Sequence, residues 1–174
     1  PEICQMVSIG QSVQGRELWI MKISDNVAVE EAEPEFKYIC TMHGDEAIAM
    51  EMGWNFIEYL LDNYGIVDSI TQIVDETEIW IMPLMNPDGN EAGIRYNANG
   101  VDLNRNFPDR VDDPVNTTDG RQPETAAMMD FTHAHNFVMS ANFHSGEVVV
   151  NYPWDKREPG TSGYAATPDD DFFV

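Results

Sequence analysis

The chain has 174 residues, 43% of them hydrophobic and spread along its length, enough for one domain with its own core. Acidic residues outnumber basic ones 31 to 9, a net charge of −22, and such a surface repels nucleic acid and anionic membranes. No apolar run reaches the roughly 18 residues that cross a bilayer, and no secretory leader is visible in a sequence that begins at Pro1.

The acidic surface suits cationic peptides, and it equally suits plain solubility or salt adaptation. The two cysteines, Cys4 and Cys40, do not form a C-x-x-C pair, which argues against a thiolate metal site and leaves one disulfide or two thiols open. Asn116-Thr117-Thr118 is a glycosylation sequon that matters only on a eukaryotic secretory route.

Alternation of apolar and polar residues predicts a strand over Glu17–Ser24, and a second follows an acidic turn at Phe36–Met42. From about Glu46 to Tyr64, Ile48, Met52, Phe56, Tyr59 and Leu60 recur at helical spacing, and Gly65 stops that helix. A short helix over Val67–Val74 precedes Glu78–Met85, whose nearly unbroken apolar run predicts a strand buried on both faces. Residues 86–118 are rich in Asn, Asp, Gly and Pro and read as one long loop, of a length that is usually either functional or disordered, with a turn at Asn86-Pro87-Asp88-Gly89. A helix over Pro123–Asn136, with proline in its first turn, then leads to a strand over Phe137–Phe143. This order predicts an α/β fold: a mixed, mostly parallel twisted sheet with helices on both faces, whose ligands bind at the carboxyl ends of its strands.

Chemistry-bearing residues fall at those ends. His43 and Glu46 stand three apart on the turn after the second strand, and His144 closes the last strand. Two imidazoles and one carboxylate form a borderline-soft set that suits zinc and leaves a fourth position for water. Two of the nine basic residues, Arg95 and Arg105, lie in the long loop; a guanidinium there can grip a carboxylate through two parallel hydrogen bonds, with Asn104 beside Arg105 adding a neutral donor, and spacing alone equally suits pairing of both arginines with the abundant surface Asp and Glu. His133 and His135, two apart on a helix, face different ways and are set aside as a second metal site.

His43-x-x-Glu46, the NPDG turn, the run NANGVDLNRNFPD, Pro123-Glu124-Thr125 and HSGEVVVNYPWD occur in one order. In that order they resemble the zinc metallocarboxypeptidases, above all the regulatory carboxypeptidase N, E and D subfamily. The resemblance runs from about Ser8 to about Asp170 and implies a carboxypeptidase-like, phosphorylase/hydrolase-like fold with one Zn2+ per chain on His43, Glu46 and His144. It also implies that Asn104 and Arg105 hold the substrate's terminal carboxylate and that Arg95 stabilises the oxyanion. Asp155 matches an acidic pocket residue of the subfamily, which implies a preference for C-terminal Lys or Arg. The implied partners are peptide or protein C-termini, and the implied setting is a monomer that is secreted, periplasmic or extracellular.

In that family a glutamate beyond the TPDD segment is the general base, and a tyrosine closes over the substrate; neither falls within Pro1–Val174. Residues 1–174 therefore read as the N-terminal, metal-binding part of one catalytic peptidase domain, incomplete at its C-terminus. A zinc amidohydrolase of acylated amino acids and a non-catalytic, zinc-dependent peptide-binding module are the competing readings.

Overall fold

Glu78–Met82 (β4) exposes none of its five side chains, and it forms the middle strand of the sheet in the computed structural model, which describes residues 2–173. On one side of β4 lies Glu35–Cys40 (β3), paired in parallel, and beyond it Phe137–Phe143 (β5), also parallel. On the other side Glu17–Ile23 (β2) and then Cys4–Gln11 (β1) pair antiparallel. The mixed sheet is as expected, with its parallel part confined to β4, β3 and β5. β1 is the one strand without a sequence prediction.

Alternation along β4 divides the core in two. Trp80 and Met82 point to a cluster with Leu18, Ile20, Ile39, Leu103 and Met128, the last from Pro123–His133 (α4). Ile79 and Ile81 point the opposite way, to Ile57 and Leu60 of Ala47–Asn63 (α1) and to Ile70 and Val74 of Asp68–Glu76 (α2). Helices thus cover both faces, each buried by the apolar stripe it presents.

The buried stripe of α1 is Ala49, Gly53, Ile57 and Leu60, while Ile48, Met52 and Tyr59 of the predicted face are exposed. Small residues win that face because the helix lies close to the sheet: a Cβ on Gly53 would stand 2.9 Å from the Cys40 sulfur. Both cysteines are free thiols, and burial pushes that of Cys40 up to about 12.

The described residues divide into two units, 2–107 with 118–145, and 108–117 with 146–173. The first contains the sheet, α1, α2 and α4. In the second, Lys156 bridges Asp109 and Asp112, Arg110 reaches Glu158 at 3.1 Å and covers the Trp154 ring, and Asp170–Phe173 forms a short helix (α5).

Candidate metal centre

The register of β3 against β5 puts Cys40 opposite Phe143, so the chain leaves both strands at one edge of the sheet. His144 follows immediately on β5. On β3 the exit passes through Thr41, a buried β-branched residue at φ 52°, a conformation that side chains of its kind rarely adopt. Three residues after Cys40 comes His43, and Glu46 precedes α1.

Asn86, fully buried, locks this turn. Its side chain donates to the carbonyls of Met42 and Arg95, both at 3.3 Å, and accepts from Gly89 N at 2.9 Å. The NPDG segment is more than a turn: Asn86 caps a helix over Pro87–Ala92 (α3), with Pro87 in its first turn. Asp88 in turn accepts from Ser12, the Gln14 N–H and Arg16, tying α3 to the β1–β2 connection.

Three donors meet at this edge. His43 Nδ1 lies 2.8 Å from Glu46 Oε1, His144 Nδ1 lies 2.9 Å from Glu46 Oε2, and the two Nδ1 atoms are 3.2 Å apart. A tetrahedral zinc with ligands at about 2.0–2.1 Å sets its donors about 3.3 Å from one another. The observed spacing fits that requirement, and the atoms are of the type zinc prefers. His43 Nε2 faces Asp102 Oδ1 at 3.2 Å. With its proton on Nε2, directed at that carboxylate, the ring presents a free lone pair on Nδ1.

Charges around the donors are arranged to keep the carboxylates ionised. Burial pushes the Glu46 carboxyl up, but the hydrogen bonds it shares with His43 and His144, the electrostatic pull of the His43 ring and the Ser145 N–H outweigh it and hold Glu46 below the usual range. Burial acts likewise on Asp102, outweighed by the hydrogen bond and charge of Arg95, the His43 charge and the Asn104 N–H, and Asp102 too is held low. Arg95 grips Asp102 through Nε at 3.0 Å and Nη2 at 2.9 Å, and its Nη1 lies 3.2 Å from His43 Nδ1.

Of the residues singled out by sequence, His43, Glu46, His144 and Arg95 converge. Asn104 and Arg105 lie on a single 3-10 turn, Leu103–Arg105, anchored by fully buried Leu103, with Arg105 exposed. Asp155 lies in the second unit, exposed. His135 pairs with Glu35 at 2.6 Å among Trp80, Phe131 and Phe137. Sequence reasoning missed Asp102; an acid two residues ahead of Asn104, in a loop with two arginines, is the signal that could have found it.

Residues 1–173 match the family model described as zinc carboxypeptidase. The chain belongs to the zinc carboxypeptidase family. Zinc is the metal of that family, and the donor set above suits it. Carboxypeptidase D of Rattus norvegicus is 48% identical over 183 residues, which cover 99% of this chain and 13% of that protein. The human carboxypeptidase N catalytic chain is 39% identical over 209 residues, covering 99% of this chain and 46% of that one. The chain thus spans a minor part of the curated relatives it matches. Among solved structures, thrombin activatable fibrinolysis inhibitor superposes with a TM-score of 0.78 at 20% identity, covering 99% of this chain and 48% of that one, a likeness of fold.

Proposed function

We propose that residues 1–174 are the metal-binding part of a carboxypeptidase domain that hydrolyses the C-terminal peptide bond, with preference for C-terminal Lys or Arg. The observation that carries this reading is the meeting of His43, Glu46 and His144 within 2.8–3.2 Å, beside Arg95. Zinc held by those three residues would supply Lewis-acid polarisation of the scissile carbonyl and acidification of a water.

The chain's own residues bind and orient the substrate. Asp102 keeps His43 in the tautomer that offers Nδ1 and orients the Arg95 guanidinium toward the same edge. Arg95 then sets positive charge where the oxyanion develops. Asn104 and Arg105 bind the free carboxylate, so that the last peptide bond is the one presented. The general base belongs to none of these residues. Asp155 supports the Lys/Arg preference by its match to the subfamily's pocket acid and by the kinship with carboxypeptidases D and N. The same resemblance supports a secreted, periplasmic or extracellular monomer that acts on peptide or protein C-termini.

Metal analysis of the purified chain, alongside His144→Ala, tests the centre: one zinc per chain is expected, sharply reduced in the variant, and unchanged zinc refutes the ligand set. Assay of the intact gene product tests the reaction. Release of free Lys or Arg from peptides is expected, lessened relative to other C-termini by Asp155→Asn. Release of acetate or succinate from acyl amino acids instead identifies an amidohydrolase, and zinc-dependent peptide binding without release identifies a binding module.

A further inference from the structure

Glu124 is fully buried at the start of α4, yet no salt bridge reaches it among the described residues. Both its oxygens accept from neutral donors: Oε1 from the Val13 N–H at 3.1 Å and Oε2 from Asn97 Nδ2 at 3.1 Å. Its place in the first turn of an 11-residue helix lets the helix dipole favour a negative charge there.

Asn97 is itself buried, and its orientation is fixed. Its Oδ1 accepts from the Asn99 and Val101 N–H groups at 3.1 and 3.0 Å, closing the turn immediately before Asp102. The amide cannot flip without losing both bonds, so Nδ2 must donate toward Glu124 and toward Gln122 Oε1, 2.9 Å away. The far end of the loop is tied to the same segment: Gln122 N donates to Asn106 Oδ1 at 2.7 Å, and Arg121 Nη1 to the Asn106 carbonyl at 3.0 Å. Residues 121–124 therefore bracket the loop that carries Asp102, Asn104 and Arg105.

We propose that Glu124 is a positioning residue for this loop: acting through Asn97, it sets where Asp102 meets His43. The polarity is what matters, since two donors face it and only a carboxylate accepts on both oxygens. The consequence for zinc rests on the metal-centre reading above; the positioning itself does not.

Polarity reversal provides the test. Glu124→Gln keeps the shape but turns an NH2 on one of its donors. Asn97→Asp keeps the bonds to Asn99 and Val101 but sets two carboxylates face to face. In the double variant the introduced amide donates to the introduced carboxylate while its oxygen accepts from the Val13 N–H, and Gln122 and exposed Asn99 rotate to match. Two readouts are made well below the unfolding temperature: hydrogen–deuterium exchange of residues 97–106 in the metal-free chain, and zinc Kd by chelator competition.

Each single variant is expected to speed exchange in this loop and to weaken zinc roughly tenfold, the low end for disturbed support of a metal ligand. The double variant is expected to return both to within about threefold of the parent. Exchange unchanged in the singles, or unrestored in the double, overturns the proposal. Lower thermal stability with unchanged loop exchange and zinc Kd also overturns it, reducing Glu124 to a structural group. Failure of the parent to bind zinc at His43, Glu46 and His144 refutes the metal reading, and the exchange arm then decides the positioning claim on its own.

Discussion

A Cβ on Gly44 would stand 2.1 Å from the carbonyl carbon of Gly89. The turn that carries His43 and the first turn of α3 are thus in backbone contact, with no room for a side chain. Asn86 and the bond from Gly44 N to the Arg95 carbonyl, 3.2 Å, fasten the same junction. The glycine in His43-Gly44-Asp45-Glu46 is there for this approach.

Gly44→Ala must therefore separate the two segments. It is expected to destabilise the chain by about 3 kcal/mol or more, since backbone cannot yield as a side-chain tip can. Thermal unfolding with matched zinc analysis checks this, and zinc occupancy should fall with stability. A variant of parental stability contradicts the packing.

Asp102→Asn should weaken zinc about 10–100-fold while the fold survives. The amide can still accept from His43 Nε2, but the charge that anchors both His43 and Arg95 is gone. Chelator competition gives the Kd. An unchanged value would mean that His43 is oriented without Asp102.

Arg105→Lys retains the charge and loses the planar fork. A C-terminal carboxylate should bind roughly tenfold more weakly, since two parallel charge-assisted bonds become one point contact, while zinc Kd stays at the parental value. Titration with a peptide and with its C-terminal amide separates the effects. Equal binding of acid and amide by the parent would remove Arg105 from carboxylate recognition.

Much of this was legible in sequence because it lies at strand ends. β3 and β5 announce themselves by their apolar residues, and the first titratable groups beyond each are His43 and His144. Asp102 was hidden for a physical reason: its partner is an imidazole 59 positions away, and their meeting depends on how the 95–105 loop folds back. Edge strand β1 was missed because it pairs on one side only and leaves half-exposed residues such as Met6 without a clean alternation. The helical period of α1 was evident, but its inward face was not. Ala49 and Gly53 face the sheet because they are small, and hydrophobicity alone points to Ile48 and Met52 instead.

Lys37 offers a prediction about pH. It is buried on β3, donates to Thr132 Oγ1 at 2.7 Å and lies over the Phe137 ring, and burial lowers its pKa to about 8. The unfolded chain keeps that proton to about 10.5, so between these values the unfolded state binds more protons and stability rises with pH. Below about 8 the penalty of a buried charge is present in full. Lys37→Met should thus gain roughly 1–3 kcal/mol at pH 7 and lose the rise across pH 8–10, as denaturant melts at a series of pH values would report. A rise that persists in the variant belongs to another group.

Zinc K-edge X-ray absorption on the zinc-loaded chain addresses the central claim most directly, because the thiols of Cys4 and Cys40 are the chain's alternative thiolate ligands for zinc. Two imidazoles and a carboxylate predict a first shell of light atoms at about 2.0–2.1 Å, with imidazole multiple scattering halved in His144→Ala. A sulfur shell at about 2.3 Å, or a spectrum that His144→Ala leaves unchanged, would contradict a centre built from His43, Glu46 and His144.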